Sequence, residues 1–290
     1  MTDNILENAS IEATVADSDI EVRQNLLLTN ARARYAKYVN CRGQQIVWQP
    51  SDTTDDEGNV FTPVFENCIF QGCSFEELPE NAVIEFIGKC IFYDCNFRAT
   101  QKIKIDSDCE FYHCSNVNVV FATARTYKLK VVNSDIAFPE ITSSNWSTYP
   151  LRLDMNGGEL ELPAVTTYAD WILNVFGAKV NTAADTAIHT GLYMDGCVFQ
   201  GKNNLYSAKA MGCTLCFNGP ASSSIILQGL VYIGNEIKNG TLDSNLTNKT
   251  GVTFNGDINI GNRVNMANRT MTRGSAAKVV SGNYNGSETL

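Results

Sequence analysis

The chain of 290 residues carries 22 Lys and Arg against 31 Asp and Glu, a net charge of −9, with 44% hydrophobic and 18% charged residues. It is long enough to bury a continuous core, and the acidic excess argues against general nucleic-acid binding. No stretch has the apolar length of a bilayer-spanning helix, and the acidic opening Met1-Thr2-Asp3-Asn4 leads into no apolar run of signal-peptide length. The sequence therefore predicts synthesis and folding in a cytoplasm, without membrane insertion.

Residues 1–63 read as a segment of their own. Asp19 to Tyr38 is rich in Leu, Ala, Arg and Gln, with Ile20, Val22, Leu26, Leu27 and Tyr35 at partly helical spacing and Ser18 or Asp19 as N-cap, which predicts a helix that caps the chain beyond it or docks it to a larger assembly. From Trp48 to Thr62 the chain is polar and acidic, Gln49 to Asn59 above all, and reads as a solvated loop whose carboxylates do not match a known calcium-loop spacing. The first 60 residues hold 10 acidic and 5 basic side chains, more than half of the net charge.

Residues 64–260 carry a repeat. Cys-Ile-Phe-Gln-Gly-Cys-Ser-Phe at 68–75 returns as Cys-Ile-Phe-Tyr-Asp-Cys-Asn-Phe at 90–97 and Cys-Glu-Phe-Tyr-His-Cys-Ser-Asn at 109–116, at steps of 22 and 19 residues. A period near 20 predicts a solenoid. Alternate residues of two short strands point inward, and the corner between them is Gly72, Asp94 and His113, types that tolerate positive φ. The same grammar continues through Asp135, Gly177, Gly196, Gly212 and Gly229, with looser copies at Leu151–Leu162 and Val252–Ile260. It places the residue after each corner at 73, 95, 114, 136, 160, 178, 197, 213, 230 and 258, about ten coils. Eight of the ten cysteines fall on inward positions, where a reduced thiol packs as a small hydrophobe.

The Asn-Cys-x-Phe-x-Gly-Cys-x-Phe phrasing resembles the right-handed parallel β-helix superfamily, which includes phage tailspikes and pectate-lyase-like proteins, with a local flavour of pentapeptide repeats. The fold class expected is all-β, a right-handed parallel β-helix with a short helical N-terminal segment. Beyond Asn262 the chain becomes small, polar and basic (Arg263, Arg269, Arg273, Lys278), and 261–290 reads as a tail.

Candidate chemistry is sparse. His113 sits at a corner position, and His189 has no serine or cysteine motif beside it. Cys213-Thr-Leu-Cys216 is a lone CxxC, half of a structural zinc site. Asp154, Glu159 and Glu161 fall within one coil, followed by Asp170, Asp185 and Asp195, the raw material for a glycosidase pair. Trp146, Tyr149, Tyr168 and Trp171 gather at the irregular insertions as a platform for sugars or a partner. No residue is assigned as catalytic, cofactor-binding or metal-ligating.

The resemblance implies a structural virion protein of a tailed phage or phage-like particle: a spike, fibre, baseplate or capsid-decoration subunit. It would be homotrimeric, docked to other virion proteins by its N-terminal segment, with a host-surface glycan as a further partner. The alternatives are a polysaccharide-binding or -degrading tailspike and an acidic DNA mimic that inhibits a DNA-binding enzyme.

Overall fold

The computed structural model describes residues 64–75, 84–142, 144–163, 170–183, 186–188, 191–219, 224–243, 249–266, 270–285 and 288–290, together with the backbone of short strands between residues 4 and 42. The fold is an all-β parallel solenoid of about nine turns. Residues 1–140 and 141–290 form two compact units.

In the first unit the phrase Cys-x-Phe is a strand because its alternate residues have somewhere to go. Cys90 and Phe92 are fully buried while Ile91 and Tyr93 face outward, and the strand Cys90–Tyr93 lies parallel to Ile69–Gln71 on one side and Cys109–Tyr112 on the other. Like therefore stacks on like. The rings of Phe70, Phe92 and Phe111 lie 5.0 and 4.9 Å apart and nearly coplanar in tilt, and Phe75 stacks on Phe97 at 4.9 Å. These distances equal the spacing of hydrogen-bonded strands.

The corners come where the residue types predict. Gly72, Asp94 and His113 have φ of 61°, 51° and 52°. The next corner is Asn133, φ 46°, not Asp135, so Ser134 rather than Ile136 continues the column of Cys73, Cys95 and Cys114. Its hydroxyl oxygen accepts the Cys114 amide at 2.8 Å. The hydrophobic pattern missed it because the column position here is filled by a satisfied hydroxyl.

The helix expected over Asp19–Tyr38 is not formed. Ile20–Asn25 is a strand, parallel to Asn4–Glu7 and to Ala36–Arg42, and Ala36–Arg42 in turn pairs with Ile69–Gln71. Ile20 and Val22 alternate with Glu21 and Arg23, a period of two, and a neighbouring strand edge outweighs the helical composition. The acidic run Gln49 to Asn59 lies outside the described residues.

In the second unit glycine holds this corner in each described turn, at 157, 177, 196, 212, 234, 261 and 282, each with φ between 58° and 71°. The corner of the fifth turn is Gly234, not Gly229, and that of the sixth is Gly261. In the first turn it is Gly157, three residues ahead of the mark at Leu160. Leu160, Val180, Phe199, Leu215, Ile237 and Val264 form one inward column.

The residue after each corner forms a second column: Gly158, Ala178, Cys197, Cys213, and then Asn235, Asn262 and Asn283. The three asparagines are 0–1% exposed. Asn262 Oδ1 accepts from both the backbone and side-chain nitrogens of Asn235, at 3.1 and 2.9 Å, and Asn283 Oδ1 does the same for Asn262 at 3.0 and 2.7 Å. The remaining amide protons go to the carbonyls of Ala210, Tyr232 and Asn259, at 2.9 Å each. Buried amides are tolerable here because their main hydrogen-bonding capacity is filled.

The solenoid continues past residue 260. Thr270–Arg273 pairs with Gly251–Phe254, Val279–Ser281 with Ile258–Ile260, and Tyr284–Asn285 with Arg263–Asn265. The segment read as a basic tail is a further turn, closed by Glu288–Thr289, which folds back antiparallel on Tyr284–Asn285.

Candidate functional site

Because the inward positions of each unit are occupied by stacked side chains, chemistry available to other molecules sits on the outward faces. Among the described residues no group of three or more His, Cys, Asp or Glu is placed to hold a metal ion, and no helix is long and apolar enough to cross a membrane.

On the first unit the richest outward patch is built on three adjacent strands, Cys90–Tyr93, Cys109–Tyr112 and Tyr127–Ala137. Tyr93 stacks on Tyr112 at 4.9 Å, the Lys130 ammonium lies 5.3 Å from the Tyr112 ring centre, and the Tyr112 hydroxyl donates to Glu110 at 2.6 Å. Lys89 reaches the other side of that carboxylate at 2.6 Å. Burial pushes the Glu110 pKa up, but the hydrogen bonds from Lys89 and Tyr112 and the two lysine charges outweigh it and hold the carboxyl below its usual range. The patch satisfies itself.

His113 Nδ1 stands 3.4 Å from Asp94 Oδ1 at successive corners, both side chains more than half exposed. That is a solvent-screened contact, and it leaves His113 as a corner residue. His189 lies outside the described residues.

On the second unit the corner at Gly157 parts the carboxylates that the sequence grouped. Asp154 lies before it and accepts from Asn174 at 2.7 Å, while Glu159 and Glu161 lie beyond it on a different face. Asp195 precedes the Gly196 corner, Asp170 is an exposed turn residue, and Asp185 lies outside the described residues. Glu159 and Glu161 lie two apart on the strand face beyond the corner, whereas Asp154 and Asp195 point outward on the strands that lead into the Gly157 and Gly196 corners. Lys179 pairs with Glu159 at 3.0 Å, and Asn181 also donates to it. Partial desolvation of the Glu161 carboxyl, aided by the charge of Glu159, pushes its pKa up. Two neighbouring carboxyls, one of them with its pKa pushed up, are the raw material of an acid/base pair.

The nine described cysteines are buried. Cys213 is in the corner column and Cys216 on the strand after it. Burial pushes the Cys109 thiol up to about 12 and Cys216 up to about 11, the opposite of an activated thiol. Trp171, read as part of a platform, is fully buried in the core with its indole N–H on the Tyr149 carbonyl at 3.0 Å. The side chains of Trp146 and Tyr168 lie outside the described residues.

One outward face of the second unit went unread. On the strands that lead into the corners, the outward residues of the last four turns include Met211, Val231, Ile233, Ile258, Ile260 and Val279. Ile233, Ile260 and Val279 are 36%, 38% and 44% exposed. Phe176, 42% exposed, continues the face, its ring 5.7 Å from that of Tyr193. The face beyond the corner is polar instead, with Glu159, Lys179, Glu236 and Arg263 in one outward column.

No protein family matches the chain, and no curated protein does. Among solved structures it is similar to QnrB1, a plasmid-mediated fluoroquinolone resistance protein, at 14% identity over 80% of this chain and 91% of that one, with a TM-score of 0.17. A superposition that loose bears on neither fold nor function. The class of protein rests on the strand register itself, a parallel β-solenoid.

Proposed function

We propose that the chain is a structural subunit of a tailed-phage-like particle, a spike, fibre, baseplate or capsid-decoration element that displays a β-solenoid and docks through its N-terminal segment. The observation that carries this reading is the continuous laddering of the interior, ring on ring in the first unit and amide on amide in the second. A core in which each turn is held by its neighbours resists bending and local opening, which suits a displayed element. The resemblance of the Cys-x-Phe phrasing to phage β-helices supports it. An antibody raised against the purified chain tests it on particles banded from cells that make the protein. Co-sedimentation with the particles supports the reading, and recovery only among free soluble proteins sinks it.

A glycan-cleaving element on the same scaffold is favoured by one specific feature, the Glu159 and Glu161 pair with its raised Glu161. Reducing-sugar release from surface polysaccharide, abolished in Glu161→Gln, would establish it. The DNA-mimic alternative draws no support from the described surface, where Lys104 pairs with Glu85, Lys102 with Glu140 and Lys179 with Glu159 instead of leaving a run of bare negative charge.

A further inference from the structure

The strand Ile258–Ile260 is built inside out. Asn259 points into the core, fully buried, and donates to the Gly256 carbonyl at 2.6 Å, while Ile258 and Ile260 point outward. In the turn before it Val231 and Ile233 flank a buried Tyr232, whose hydroxyl is 3.0 Å from the carbonyls of Leu205 and Gln228. The corner glycines and the asparagine ladder fix this register on both sides. The chain thus keeps an amide inside and exposes isoleucine outside, an arrangement that loses transfer free energy unless the outer face is covered.

We propose that this face of the second unit is buried against a second copy of the chain, lying alongside with its solenoid axis parallel and its turns in register. Two observations select that occupant. The apolar side chains recur at the strand spacing of about 4.8 Å, from Phe176 and Tyr193 to Val279, and another solenoid meets such a ladder at every turn. From Phe176 onward the face holds one charge of each sign, Asp195 and Lys209, in adjacent turns and different columns, while Arg152 and Asp154 point outward one turn earlier. Side-by-side packing in register brings Lys209 of one copy toward Asp195 of the next, a self-complementary pair. A net charge of −9 sets copies repelling elsewhere, so contact is confined to the face where charge is scarce and balanced.

This deepens the reading of the chain as a structural subunit and is tested apart from it. Light scattering behind a sizing column in reducing buffer should give the full chain a mass at least twice 31.9 kDa. The double variant Ile233→Glu/Ile260→Glu, which alters two outward side chains, should run as a monomer with an unchanged circular dichroism spectrum. Thr272→Glu, exposed on another face, should remain assembled. Lys209→Asp should weaken association by about fivefold or more, and adding Asp195→Lys should restore it. A wild-type monomer at about 50 μM, or an assembly indifferent to Ile233→Glu/Ile260→Glu, overturns the proposal. Either result leaves co-sedimentation with particles untouched, and absence from particles leaves the measured mass untouched.

Discussion

At Gly196 the backbone sits at φ 61°, and a Cβ added there would meet no atom within 4 Å. Space is not the constraint, so what a side chain costs at this corner is the left-handed conformation alone. Gly196→Val is expected to lower stability by about 2 kcal/mol, because a β-branched residue is disfavoured at positive φ. Gly196→Asn should lose less than half of that, since Asn133 holds the equivalent corner in the first unit. Equal urea midpoints for the two variants would show that something other than φ limits the position. Glu110 and Glu161 make a second test, with opposite signs. The folded pKa of Glu110 is depressed, so its contribution is present above the ordinary carboxylate pKa and is lost as pH falls through the depressed value. That of Glu161 is raised, so its ionised form costs stability at neutral pH and the cost disappears as pH falls through the raised value. Glu110→Gln should therefore be less stable than the parent at about pH 7 and Glu161→Gln more stable. In urea titrations between about pH 7 and pH 3, the Glu161 gap should close first. A common sign for the two would contradict the assignment.

Among elements, the asparagine ladder is the most exacting. Asn262→Ala removes an acceptor used twice by Asn235 and a donor used by Tyr232 and Asn283, all in the core. Unsatisfied buried groups cost about 1–3 kcal/mol each, so a loss of about 3–5 kcal/mol is expected in urea unfolding. Adding Asn235→Ala should cost far less than it does alone, because the network is already broken. Strict additivity would mean that the amides act separately. The phenylalanine turns were legible in the sequence because stacking like on like repeats the same letters at the same step. The asparagine turns were not, since a filter for apolar alternation passes over them. Their signal is the dipeptide Gly-Asn at 234–235, 261–262 and 282–283. The inverted strand was illegible for a deeper reason. Ile258-Asn259-Ile260 alternates equally well either way up, a shift of one residue exchanges the faces, and only the corner at Gly261 says which applies. The N-terminal strands were missed because composition was weighed above the two-residue alternation of Ile20 to Arg23. For the candidate surfaces, the sequence supplied Glu159 and Glu161, but it also grouped them with Asp154, which the Gly157 corner sends to another face.

For the molecule as a whole, turns of roughly 20 residues mean that each strand touches its neighbours one turn away, so stability accumulates turn by turn. A solenoid built this way has a hazard at its end, where the last strand offers its backbone to any strand that arrives. Here that offer is taken up on one strand of the turn at 270–285. Glu288–Thr289 runs antiparallel along Tyr284–Asn285, and Leu290 and Asn283 exchange backbone hydrogen bonds at 2.7 and 3.2 Å. Deleting residues 286–290 should leave circular dichroism near that of the parent, while time-dependent thioflavin fluorescence and sedimenting material appear as concentration rises. A truncated chain as well dispersed as the full one would show that the fold-back blocks nothing. Addition of a parallel strand to a matching edge is also how a fibril elongates. Along Tyr284–Asn285 the fold-back thus acts as a terminator for templated growth: on that strand the same ladder that stiffens the molecule is kept from propagating into the next one.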